Sequence, residues 1–115
     1  MSYDLDIKAD DDYSQSADCD RLKAFVAHLP GIKPNGSRGF VLDDRPQKWM
    51  EIDLEAVSPD GDYDEELSRG TWVNCVRLHI PYAYLGETPE RDYFPTAWAI
   101  AAFLGWRLHQ DKGGE

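Results

Sequence analysis

The sequence predicts an α+β two-layer sandwich, a mixed and mainly antiparallel sheet of about five strands with two helices on one face. Residues 48–56 (KWMEIDLEA) alternate Met50, Ile52, Leu54 and Ala56 with Trp49, Glu51, Asp53 and Glu55, the period-two pattern of a strand with one buried face. Leu22, Phe25, Val26 and Leu29 fall at i, i+3, i+4 and i+7, the stripe of a helix that faces a core. Strand-like and helix-like segments succeed one another as strand, helix, three strands, helix, strand. That order fits a split βαβ arrangement of ferredoxin-like type with one added strand.

Each element has its own signal. Tyr3, Leu5 and Ile7 alternate with Asp4, Asp6 and Lys8, so the chain opens with a strand whose outer face is acidic. Asp10, Asp11 and Asp12 follow as a solvated loop. Ser16 or Asp18 can cap the first helix, and Pro30 with Gly31 stops it. Residues 31–39 (GIKPNGSRG) are rich in turn formers and read as a connector. No lysine follows Gly36, Pro34 removes a backbone donor and a strand comes next, so this is not a phosphate-binding loop.

Residues 39–43 (GFVLD) read as a short strand that turns through 44–47 into the central one. The polar run 58–70 then leads to a long strand at 71–80. Val76, Leu78 and Ile80 lie on one face of that strand, with Val73, Cys75, Arg77 and His79 on the other. Pairing the two long strands with Glu51 opposite Arg77, or with a shift of two residues, keeps both apolar sets on one side. A one-residue slip turns one set toward water. Residues 81–92 form an aromatic, proline-bearing loop. A second helix runs from near Pro95 to Leu104, where Gly105 ends it, and 106–110 form a last strand with Trp106 and Leu108 inward. The tail 111–115 (DKGGE) is disordered by composition.

Composition narrows the function. One domain of 115 residues with 42% hydrophobic content and four tryptophans can build a core, despite 22 acidic against 12 basic residues. A net charge of −10 repels phosphate backbones and anionic membranes, so nucleic acid and membrane partners are not expected and a basic protein is. The longest uncharged run is shorter than the about 20 apolar residues a membrane span needs. Cys19 and Cys75 are far apart, and the opening MSYDLDIKADDD lacks the regions of an export signal, so the expected location is cytoplasmic.

Spacing argues against the common site chemistries. Asp60, Asp62 and Asp64 imitate the start of a calcium loop, but Glu65 stands where glycine is needed and Thr71 where glutamate closes the site. Three histidines and two cysteines show no zinc spacing. Cys19 is flanked by Asp18 and Asp20, which oppose thiolate formation, and Cys75 lies about 13 Å along a strand from His79. No catalytic residue, metal site or cofactor is assigned. The candidate partner-binding residues are Trp49, Glu51, Asp53, Glu55, Arg77, His79, Tyr82 and Tyr84, carboxylates for a basic surface and aromatics and arginine for anchors.

The opening Ser2-Tyr3-Asp4-Leu5 resembles the first strand of several small bacterial families, some of which look like immunity proteins paired with toxins. The resemblance covers these four residues and carries no catalytic residue. It implies a bacterial cytoplasmic protein that occludes a partner. The leading expectation is a non-catalytic, acidic protein-binding module of immunity or antitoxin type, acting on a basic partner such as a toxin. Two alternatives are a small enzyme or ligand-binding domain with its site between the 81–92 loop and the sheet, and a homodimer sealed by the second helix.

Overall fold

The computed structural model describes residues 2–110; the disorder expected for 111–115 lies outside them. In chain order the elements are β1 (Ser2–Lys8), β2 (Ala17–Asp18), α1 (Cys19–Ala27), β3 (Ile32–Pro34), β4 (Gly39–Asp44), β5 (Lys48–Glu55), β6 (Trp72–Val73), β7 (Cys75–Pro81), α2 (Pro89–Asp92), α3 (Phe94–Leu104) and β8 (Arg107–Gln110). Six strands make one sheet in the order β3-β4-β5-β7-β1-β8, and β2 pairs with β6 apart from it.

The α+β class is as the sequence predicts, and the inner strands β8-β1-β7-β5 follow the split βαβ order. Two details differ. The extension beyond β5 is two strands, β4 and β3, instead of one. The sheet is also not mixed, because every pairing among the described residues is antiparallel. The crossover through α1 does bring β1 and β5 into the same direction, but β7 enters between them and removes the parallel contact.

The strand faces sort by the period of two. Leu5 and Ile7 of β1, Met50, Ile52 and Leu54 of β5, and Val76, Leu78 and Ile80 of β7 are at most 1% exposed. They form one core with Leu22 and Val26 of α1 and with Phe94, Ala97 and Ile100 of α3, so both helices lie on the inner face. Phe25 stacks on Phe103 with ring centroids 4.3 Å apart and ties the helices together. Asp18 caps α1 by accepting the Arg21 N–H at 2.9 Å. Gly105 ends α3 at φ +72°, a left-handed value that suits glycine.

Two segments depart from the sequence reading. Residues 32–34 are a strand and not part of a connector, because Ile32 sits opposite Leu42 and packs on the core. Pro34 is tolerated there because β3 is an edge. The expected strand at 71–80 is broken at Asn74. Its side chain turns away to accept the Val57 N–H at 2.9 Å and to donate to the Val57 carbonyl at 3.0 Å, both buried. That amide imitates a strand neighbour, and β6 is freed to pair with β2. The second long helix, α3, stands where the sequence puts it and is apolar all round, with Trp98 54% and Phe103 42% exposed on its outer side. No helix among the described residues is long and apolar enough to cross a membrane.

Replacing Asn74 with alanine leaves a buried donor and a buried acceptor of Val57 unmet, at an expected cost of about 2–4 kcal/mol. Urea denaturation measures it, and a loss below about 0.5 kcal/mol contradicts this role for the amide.

Candidate functional site: the outer sheet face and its acidic end

The face away from the helices is written by the strand registers. Glu51 lies across from His79, Asp53 from Arg77 and Glu55 from Cys75, while Asp4 and Asp6 lie across from the same His79 and Arg77 on the other side. This is the two-residue shift of the alignment with Glu51 opposite Arg77, and it preserves every inside and outside assignment. β7 therefore carries two basic side chains between two rows of carboxylates.

The pairs formed are diagonal as well as direct. The Arg77 guanidinium reaches Glu55 at 3.2 Å and Asp6 at 3.7 Å, and donates to the Gly61 carbonyl. His79 holds Asp4 at 2.6 Å through Nδ1 and faces Asp53 at 3.7 Å through Nε2. Glu51 has no ion-pair partner among the described residues. Beneath this layer Cys75 is wholly buried and Val41 is 5% exposed.

Two carboxylates on this face respond oppositely to their surroundings. Burial works against the Asp4 charge, but hydrogen bonds from Ser2 and His79 and the His79 charge outweigh it and hold the carboxyl below its ordinary range. Glu55 is pushed up, first by burial and then by Asp53 and Asp6, against the pull of Arg77 and His79. Its Oε1 is buried with no hydrogen bond aligned on it, although Arg77 Nη1 lies 3.2 Å away. Burial, with Asp6 beside it, pushes the Cys75 thiol up to about 12, and burial raises Cys19 as well. Neither thiol is activated as a nucleophile.

The end of the sheet where β1 and β5 finish and β7 begins gathers two acidic loops. Gly61 lies against the Tyr13 ring, Lys8 sits over that ring at 4.8 Å, and Arg77 holds the Gly61 carbonyl. Asp10, Asp11 and Asp12 are thereby brought to the same end as Asp60, Asp62, Asp64, Glu65 and Glu66. Lys8 pairs with Asp11 and Arg69 with Glu65, which leaves a large excess of negative charge. Each loop taken alone reads as ordinary solvated chain; the sequence holds no sign that they meet.

An open cleft of about 320 Å³ lies beside them, with Asp53, Leu54 and Glu55 as its floor. One wall is the turn 35–39, fastened to β5 by the Leu54 N–H donating to the Arg38 carbonyl at 2.9 Å. The other is Tyr63 and Ser68.

Of the residues singled out from sequence, Glu51, Asp53, Glu55, Arg77 and His79 come together on β5 and β7. Trp49 is on the same face near the other end, half-buried under Arg45, whose guanidinium lies 4.6 Å from its ring centre. Tyr82 and Tyr84 stand just past β7 at that opposite end, Tyr82 53% exposed and Tyr84 half-buried. Tyr93, from the same aromatic stretch, is core, its hydroxyl donating to the Tyr84 carbonyl and accepting the Trp49 N–H at 3.3 Å. A second groove, about 310 Å³, runs between Arg91 and Asp92 on one side and Leu42 and Lys48 of the sheet on the other. No group of three or more His, Cys, Asp or Glu among the described residues is placed to hold a metal ion. Comparison with protein-family models, curated proteins and solved structures finds no match to this chain.

The two carboxylates give a pH test with opposite signs. Asp4 titrates lower folded than its unfolded value of 3.8, so its contribution is present above 3.8 and is lost as pH falls through the folded value. Asp4→Asn is expected to lower stability at pH 7 by about 1 kcal/mol, the partial exposure keeping it at the low end for charged hydrogen bonds, and to match the parent in strong acid. Glu55 titrates above its unfolded value of 4.5, so the parent loses stability as pH rises from 4.5 through the folded value, and Glu55→Gln removes that slope. Urea midpoints from pH 3 to 8 measure both; equal slopes for the two variants contradict the assignment.

Proposed function

We propose that this protein is a non-catalytic binding module for a basic protein, an occluding inhibitor of immunity or antitoxin type acting in the cytoplasm. The observation that carries the reading is the convergence of two sequence-distant acidic loops, 10–12 and 60–66, on the end of the sheet that also presents Asp6, Asp53 and Glu55. Such a concentration of charge favours cationic surfaces, steers them at long range, and disfavours nucleic acid and anionic membranes. The surface continues along β5 through Glu51 to Trp49, where the aromatic side chains Trp49 and Tyr82 and the Arg45 guanidinium offer anchors of the type that slow dissociation. The β3 and β8 flanks carry Lys33, Arg107 and His109, which confine the acidic stripe to the central strands and give the contact a direction.

A second reading, a small enzyme or ligand-binding domain, would use the groove lined by Leu42, Lys48, Arg91, Asp92, Pro95 and Ala99, which only the last two residues of the 81–92 loop reach. A homodimer through the open side of α3 centres on Trp98.

The test is kinetic. Immobilised protein is expected to retain a stoichiometric basic partner from native lysate. Stopped-flow association with that partner should slow about tenfold or more between low and physiological salt. The triple variant Asp60→Lys, Asp62→Lys, Glu66→Lys should reproduce the slowing while the dissociation rate stays within about twofold. Association indifferent to salt and to these reversals rejects the reading.

A further inference from the structure

α3 carries two apolar stripes. The inner one, Phe94, Ala97, Ile100 and Ala101, is core. Pro95, Trp98, Ala99, Ala102 and Phe103 fall at i, i+3, i+4, i+7 and i+8, a second stripe at the same helical period that the described residues leave open. Trp98 is 54% exposed on it, Pro95, Ala102 and Phe103 are exposed as well, and Ala99 is half-buried. Local contacts hold both rings in place without covering them. Phe103 stacks on Phe25, and the Trp98 ring meets Phe94 edge-on at 5.7 Å between centroids. The apolar surface continues from Pro95 and Ala99 to Leu29 and Pro30 in the adjoining groove. Large rings fixed on an uncharged helix are the material of an interface.

Charge and shape both select a second copy of this chain as what covers it. The three helices balance Asp20, Glu90 and Asp92 against Arg21, Lys23 and Arg91, so the net charge of −10 falls on the strands and loops. The helix layer is therefore the side on which two such acidic chains can meet. Their outer sheet faces are then separated by roughly three layer spacings of about 10 Å, against a screening length of about 8 Å at physiological salt. A basic protein has no carboxylate to meet on this stripe. As for shape, Pro95, Ala99 and Ala102 run down the middle of the stripe, with Trp98 on one flank and Phe103 on the other. A second α3 laid antiparallel on the first, with the two-fold axis at the level of Ile100 and Ala101, brings Trp98 over Ala102 of the other copy and Phe103 over its Ala99. Each large side chain thus meets a small one, and each contact occurs twice, as a self-complementary interface requires. One face of an 11-residue helix spans about 16 Å, so the contact is at the small end of interface sizes and the expected affinity is micromolar.

We propose that the protein forms a two-fold dimer in which α3 packs antiparallel on α3 of a second copy, Trp98 against Ala102 and Phe103 against Ala99, with the two acidic sheet faces directed outward. The dimer presents the acidic surface twice, and its formation does not rest on the basic partner proposed above.

Sedimentation equilibrium of the full chain, from about 1 to about 500 µM at about 150 mM salt, is expected to show a monomer–dimer equilibrium with its midpoint in the micromolar range. Amide NMR shifts should move with concentration at Trp98, Ala99, Ala102 and Phe103 and stay fixed at Asp53 and Asp60. Trp98→Ala, at a half-exposed ring, should weaken the dimer about tenfold or more while the urea midpoint changes little. Charge tests the alignment. Ala102→Glu and Ala99→Lys should each weaken association about tenfold or more, and the double variant should recover most of the loss, because antiparallel packing sets each new carboxylate against the new ammonium of the other copy. A chain that stays monomeric to about 500 µM, concentration-dependent shifts confined to other surfaces, association unchanged in Trp98→Ala, or no recovery in the double variant overturns the proposal. Dimerisation without any salt-sensitive basic partner leaves the dimer standing and removes the wider function; a monomer that takes such a partner removes the dimer alone.

Discussion

β7 sits between β1 and β5, and its alternation sets both sides of the molecule at once. Val76, Leu78 and Ile80 point into the core and are fully buried, while Cys75, Arg77 and His79 point the other way, toward carboxylates on each flank. A slip of one residue against either neighbour would put Arg77 and His79 into the apolar layer. Several kcal/mol of desolvation would oppose it. The same constraint that closes the core therefore fixes the geometry of the outer face.

Two arginines near the acidic end tie down backbone, Arg38 through carbonyls alone and Arg77 through a carbonyl as well as its pairs with Glu55 and Asp6. Arg77 holds the Gly61 carbonyl and Arg38 the Gly70 and Trp72 carbonyls, so two cations in a chain of net charge −10 help position the 58–72 segment. Asn74 adds a third tie through both backbone groups of Val57. The consequence is a loop rich in aspartate and glutamate held firmly against the sheet, with its carboxylates outward. Ordinarily such a run would be solvated and mobile by composition. Here it becomes part of a shaped surface.

The helix side behaves differently. The Phe25 and Phe103 rings close the contact between α1 and α3, yet Trp98 and the outer half of α3 stay open to solvent. Apolar character on that side and charge on the other give the protein two unlike faces.

Local pattern alone determined a good deal. The alternation in 48–56 and 71–80 specified two strands, the inner face of each and a register correct to a shift of two. Asp18, Leu22, Val26 and Gly105 marked the helix and its neighbours because capping and periodicity act over a few residues. The short β3, the break at Asn74, and the wholly antiparallel sheet were not legible. Each depends on a contact with a distant segment, Ile32 with Leu42, Asn74 with Val57, β7 with both β1 and β5. The carboxylates of β5 could be placed on one face from sequence because strand period is local. Their cleft, and the meeting of the 10–12 and 60–66 loops, were decided only by tertiary structure, since hydrogen bonds from Arg38 and Arg77 to carbonyls far along the chain leave no periodic trace in the residues they join.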